Sequence, residues 1–156
     1  MPQITSACTL PSPQDLVVPR LFTVLCGYAE RDDFTLTVDL GVAQAAISIP
    51  VRVELSEGRS ATAIPLTLAA RRNTDWFPSF RGEVRSEEQG PLASRLHLIG
   101  DFDVPLGALG LIANRRVLGS AAERSLRAFV DRLRADVLDE IRRSELDIRH
   151  VARRHR

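Results

Sequence analysis

The side chains that could do chemistry in this chain are few and scattered. In "RLHLIGDFDV", His97, Asp101 and Asp103 fall on one side of a stretch that alternates at period two. Two carboxylates beside an imidazole could serve general acid–base chemistry. The same alternation sends Leu96, Leu98 and Phe102 the other way, so His97 and both aspartates read as a solvated face. Asp32-Asp33 reads as a turn. His150 and His155 lie in a basic tail with no metal-ligand partner at a useful spacing. Cys8 and Cys26 form no CxxC and read as two buried thiols in a reducing compartment. All 21 basic residues are arginine, which excludes Schiff-base and lysine general-base mechanisms. No G-x-S-x-G, P-loop or dinucleotide fingerprint is present. No catalytic residue, cofactor or metal is expected.

What remains is a frame. At 156 residues and 44% apolar content, one domain with a real core is expected. A net charge of +1 argues against a dedicated nucleic-acid binder. No apolar run approaches the ~20 residues of a membrane span, and the start of the chain lacks the pattern of a signal peptide. A cytoplasmic protein is the expectation.

Five strands can be read from alternation. "FTLTVDL" puts Phe34, Leu36, Val38 and Leu40 on one face, and "AISIPVRVEL" does the same with Ile47, Ile49, Val51, Val53 and Leu55. Pro50 has no N–H for a ladder, which predicts an edge strand or a bulge there. "TAIPLTLAA" aligns Ile64, Leu66, Leu68 and Ala70, and contains Pro65. "SFRGEVR" aligns Phe80, Gly82 and Val84, and "SEEQGPLAS" reads as a polar loop. The last strand aligns Leu96, Leu98, Gly100, Phe102 and Val104. One-sided strands in succession describe an antiparallel meander that needs a cover.

The cover is helical. From about Leu106 to Arg143 the period changes, with Leu118, Ala122, Leu126, Phe129, Leu133, Val137 and Ile141 spaced three and four apart. Ser120 with Glu123 matches a capping box that would start the helix after Gly119. The alternative start lies just after Pro105. The first 30 residues leave two readings open. "SPQD" could begin a helix at Ser12, with Asp15 completing a box and Pro19 interrupting. Equally, "LFTVLCGY" could be a strand turning toward Phe34.

The stretch from Phe34 to Arg134, about two thirds of the chain, resembles the START-like, helix-grip superfamily also called SRPBCC, in its small bacterial members. The resemblance rests on Phe77-Pro78, Phe80, Gly82, Leu98, Gly100 and Phe102. It continues with Pro105-Leu106-Gly107, Leu109-Gly110 and the helical Ala121-Ala122-Glu123-Arg124-Ser125-Leu126. Members commonly carry two short helices early in the chain, which are not evident here. Asn114, Gly119 and Ser120 stand where relatives tend to carry charged residues or histidine. The resemblance favours the helix start after Pro105. It implies an α+β fold, a curved antiparallel β-sheet of about five to seven strands gripping one long C-terminal α-helix. Residues 1–143 would form that domain and 144–156 a basic tail.

It also implies a function: binding a hydrophobic small molecule or lipid in a cavity between sheet and helix. Gly82 and Gly100, mid-strand on the apolar face, would leave room beneath the helix or else relieve crowding in a solid core. The expected lining is Ile49, Val51, Leu66, Leu68, Phe80, Val84, Leu98, Phe102, Leu126, Phe129 and Leu133. Trp76 and Phe77 beside Pro78 read as packing at a strand entrance, with gating of a cavity mouth as the functional alternative. A polyketide cyclase or aromatase activity, found in some relatives, is the enzymatic alternative. It needs polar groups inside, and Ser125 is almost alone in that position. The tail from Arg142 to Arg156 holds six arginines against Glu145 and Asp147. It reads as a solvated helix extension, with contact to an anionic surface or a partner as the functional alternative. No specific nucleic acid is expected.

Overall fold

The computed structural model describes residues 3–39, 46–72, 79–103 and 115–154. Its elements are β1 (Gln3–Leu10), α1 (Gln14–Glu30), β2 (Thr35–Asp39), β3 (Ala46–Leu55), β4 (Ala63–Ala70), β5 (Ser79–Gly90), β6 (Ala93–Asp103) and α2 (Arg115–Arg154). The strands form one six-stranded antiparallel sheet in the order β1-β6-β5-β4-β3-β2. β2 to β6 are the expected meander. β1 returns beside β6, with Gln3 opposite Asp101 and Leu10 opposite Ser94. α2 packs on both edge strands, β1 and β2, as well as on β6, so the sheet curls around the helix. The inward stripe Ala122, Leu126, Phe129, Leu133, Val137 and Ile141 is buried, and Val130 joins it. Among the described residues no helix is long and apolar enough to cross a membrane.

Two prolines bound one ladder. β3 pairs with β2 through Ala46–Pro50 and with β4 through Val51–Leu55. Pro50 accepts from the Arg71 N–H at 2.9 Å and offers no N–H in return. At the other end, Pro65 accepts from the Ser56 N–H at 3.0 Å and likewise returns nothing. The β3–β4 ladder runs only between these two half-bonded pairs. Pro50 therefore marks a change of partner in an interior strand, where the sequence predicted an edge or a bulge.

Three further expectations are corrected. "SEEQGPLAS" is not a loop: β5 runs to Gly90, a turn passes through Pro91 and Leu92, and β6 begins at Ala93. A register shift between Glu88 and Gly90 marks the one irregularity in this ladder. The stretch looks loop-like because Ser86 and Ser94 take inward positions that apolar residues usually hold. Ser94 is tied in through its side chain, whose Oγ donates to the Ser12 carbonyl at 2.6 Å. Ser86 is held through its backbone, whose carbonyl accepts from Gln14 Nε2 at 3.0 Å, while its buried Oγ has no partner among the described residues.

The second correction concerns the amino-terminal region, which contributes both a strand and a helix. β1 turns Ile4, Ser6, Cys8 and Leu10 inward, and the two small polar side chains in the middle mask the alternation. α1 is the helical reading, yet its cap is Pro13 and not Ser12. The N–H groups of Leu16 and Val17 both donate to the Pro13 carbonyl at 3.1 Å, and no side chain caps the end. Pro19 sits inside this helix. An interior proline costs about 3 kcal/mol. Burial of Val17, Leu21, Leu25 and Tyr28, worth about 1.5–3 kcal/mol for each large apolar side chain, outweighs it.

The third concerns α2. Gly119 and Ser120 lie within the helix, so a start after Gly119 is overturned. The alternative start after Pro105 lies outside the described residues, as do Leu40, Trp76, Phe77, Pro78, Val104, Gly107, Gly110, Asn114 and His155. The side chains of Val38, Ile47 and Leu118 do too.

An aromatic cluster pins the two helices to the sheet. The rings of Tyr28 and Phe34 stand 4.3 Å apart, and Phe129 meets Tyr28 edge-on at 6.1 Å and Phe34 at 6.4 Å.

Candidate functional site

Between sheet and helix lies a small apolar void. Leu36, Val51, Leu68, Phe80 and Phe102 form its floor, and Ala122, Ser125 and Leu126 of α2 form its roof. The void exists where α2 turns its smallest inward side chains, Ala122 and Ser125, toward the sheet. Among the described residues only Ser125 gives the lining a polar side chain. The enclosed space is about 20 Å³, room for about one water molecule. That is far below the ~300–1,000 Å³ of a typical small-molecule site.

The glycine pair explains much of this. Gly82 of β5 and Gly100 of β6 are direct partners in the ladder. A Cβ on Gly82 would fall 2.7 Å from Gly100 Cα, and one on Gly100 would fall 2.6 Å from Gly82 Cα. Either Cβ would also meet Phe80 Cζ at 2.7 Å. The space that the glycines vacate is thus taken by the Phe80 ring, which lies over them and lines the void with its neighbour across the ladder, Phe102.

Of the side chains expected to line a cavity, Val51, Leu68, Phe80, Phe102 and Leu126 border this void. Leu66, Val84, Leu98, Phe129 and Leu133 are buried in the surrounding core, and Ile49 packs against it partly buried. Leu36, Ala122 and Ser125 complete the lining. Leu36 continues the inward face of its strand, and small side chains on an otherwise bulky helix stripe were the signal for the other two.

The titratable groups cluster elsewhere. Tyr28 Oη donates to Asp136 Oδ2, and Arg132 Nε donates to the same oxygen at 2.8 Å. Burial, then the hydrogen bond and charge of Asp136, push the Tyr28 phenol far above its ordinary range. This trio latches α1 to α2 and keeps the phenol protonated. Arg132 also lies 5.9 Å from the Phe34 ring centroid.

On the convex face, His97 Nε2 lies 2.9 Å from Glu87 Oε2 across the β5–β6 ladder. Asp101 and Asp103 are exposed, opposite Arg81 and Ser79. Asp33 pairs with Arg31 at 3.1 Å, whose hydrogen bond and charge hold that carboxyl below its usual range. Asp32 reaches Arg71 at 3.6 Å. Cys8 and Cys26 are free and half-buried. Burial raises the Cys8 thiol to about 11, with Arg134 opposing and Asp131 adding to the rise. A thiol so placed is a poor nucleophile. Among the described residues no cluster of His, Cys, Asp or Glu could hold a metal ion.

No family model matches the chain, and no curated protein matches it. Solved structures do. A conserved protein from Geobacillus kaustophilus is 14% identical with a TM-score of 0.60, over 88% of this chain and 96% of that one. A protein from Thermus thermophilus is 12% identical with a TM-score of 0.55, over 89% and 99%. The Zhui aromatase/cyclase from Streptomyces sp. R1128 is 25% identical with a TM-score of 0.52, over 91% and 94%. A six-stranded antiparallel sheet curled around one long carboxy-terminal helix, with such neighbours, gives this chain the helix-grip fold of the START-like, SRPBCC superfamily.

Proposed function

We propose that the chain binds a hydrophobic small molecule or lipid between its sheet and α2. The observation that carries this is the void itself: among the described residues, seven apolar side chains and one hydroxyl surround space that none of them fills. An apolar void of this kind stays dry, so an apolar group entering it displaces no hydrogen-bonded water. The void is the seat of the innermost part of the ligand. The rest is accommodated when the Phe80 ring swings off the glycine pair. Ser125 gives the ligand one polar contact to orient on.

The likeness to an aromatase/cyclase, at 25% identity, favours a second reading in which the site also turns over a polyketide-like substrate. Such chemistry needs a titratable group facing the void. Among the described residues the lining has none, which is why binding alone is the preferred reading. Residues 1–143 would fold as the binding domain, with 144–156 an appendage.

Native mass spectrometry of the purified protein tests the proposal. A lipophilic adduct at one per chain is expected, lost in an Ala122→Leu variant that fills the void. An adduct that persists in that variant, or no uptake of any apolar ligand offered in excess, overturns it.

A further inference from the structure

Given an apolar ligand between sheet and α2, the reading on which this rests, we infer that its outer end is a carboxylate held by Arg127 in a groove between β1 and α2. The groove holds about 200 Å³. Its two apolar lining residues, Ile4 and Leu126, are buried, whereas Gln3, Thr5, Glu123 and Arg127 are exposed. An apolar base under a polar rim suits the polar end of an amphiphile.

The register of the sheet joins this groove to the void. Ile4 lies opposite Gly100, and Gly100 lies opposite Gly82. The three form one row across the inner face. The Phe80 ring covers the two glycines, so it is the neighbour of Ile4 in that row. Phe80 also lines the void, and Leu126 borders both spaces. Once the ring swings away, the row past Ile4 carries no side chain at Gly100 or Gly82. The ligand lies along that row, its inner end in the void and its outer end in the groove.

Arg127 identifies the outer end. Two helical turns further along the same face of α2, Arg134 Nε donates to the Thr9 carbonyl of β1 at 2.8 Å. Arg127 borders the same strand, yet it makes no hydrogen bond or ion pair among the described residues. Glu123 stands one turn before it, in the order that favours pairing, and makes no ion pair either. A guanidinium only donates and is always charged. Its complement is a planar anion, and a carboxylate takes it bidentately. Glu123 would suit a cationic head, but the balance of charge is against one. With Arg132 and Asp136 paired to each other, this part of α2 offers Arg124, Arg127 and Arg134 against Glu123 and Asp131.

Calorimetric titration of the full chain at neutral pH tests this, with dodecanoate and with dodecan-1-ol, which differ only in the charged head. Dodecanoate should bind about tenfold more tightly. Arg127→Gln should bring the acid down to the level of the alcohol. Glu123→Gln should tighten the acid several-fold by removing a like charge. Both side chains are exposed, so neither variant should shift the melting temperature. Equal binding of acid and alcohol by the unaltered chain overturns the carboxylate assignment and leaves the apolar site standing. An acid preference that survives Arg127→Gln overturns it as well. Binding of neither compound overturns the apolar site itself, and the carboxylate assignment with it.

Discussion

Gly82 and Gly100 face each other across the β5–β6 ladder, and the Phe80 ring lies over both of them. No side chain fits at either position. A methyl group on one would press on the backbone of the other strand as well as on the ring. Gly100→Ala should therefore destabilise the protein by about 3 kcal/mol, because backbone has to move as well as the flexible ring. Denaturant unfolding measures this. A loss under about 0.5 kcal/mol, the scale of a surface change, would contradict the close approach.

Removing the ring has a different signature. Phe80→Ala should cost about 3–5 kcal/mol of stability, as for any large buried aromatic side chain. It should also raise uptake of an apolar ligand, because the space under α2 is no longer occupied. Unfolding and ligand titration on one preparation separate the two effects. Lost stability without gained binding would mean that the core had collapsed into the space.

Tyr28 is the only tyrosine in the chain, so its phenolate absorbance reports on one site. Its folded pKa is raised above the unfolded value of about 10. The protonated phenol therefore contributes fully below about pH 10, and that contribution is lost as pH climbs beyond it, at up to ~1.4 kcal/mol per pH unit. Phenolate should appear only together with unfolding, and Tyr28→Phe should flatten the alkaline slope. A phenolate signal in the folded protein near pH 10 would refute the burial and the Asp136 hydrogen bond together.

The latch itself can be apportioned. Asp136→Ala leaves the buried Tyr28 hydroxyl without its acceptor, a loss of about 1–3 kcal/mol. Tyr28→Phe should cost about 1 kcal/mol, since Asp136 keeps Arg132 as a donor. The double variant should cost less than the sum of the two. Additivity in a double-mutant cycle would deny the contact.

Much of this architecture was legible because its inward positions are apolar. β3, β4 and β6 and the stripe of α2 follow directly from Val51, Leu66, Leu98, Phe129 and their neighbours. The misses share one cause. Ser6 and Cys8 in β1, and Ser86 and Ser94 in the β5–β6 hairpin, are small polar residues turned inward. For Ser94 that burial is sustained by a partner distant in sequence, the Ser12 carbonyl. Pro19 in α1 looks like a helix end locally, and tertiary packing overrides it; Gly119-Ser120 looks like one too and lies inside α2. The void was the least legible feature. Its place depends on Ala122 and Ser125 falling above Phe80, a coincidence of three elements that no single stretch encodes.

Titration of the protein with the apolar dye N-phenylnaphthylamine tests the binding account most directly. One saturable site per chain is predicted, weakened at least tenfold in Ala122→Leu and strengthened in Phe80→Ala. Unsaturable binding, or a site that ignores both substitutions, would contradict the placement of a ligand between the sheet and α2.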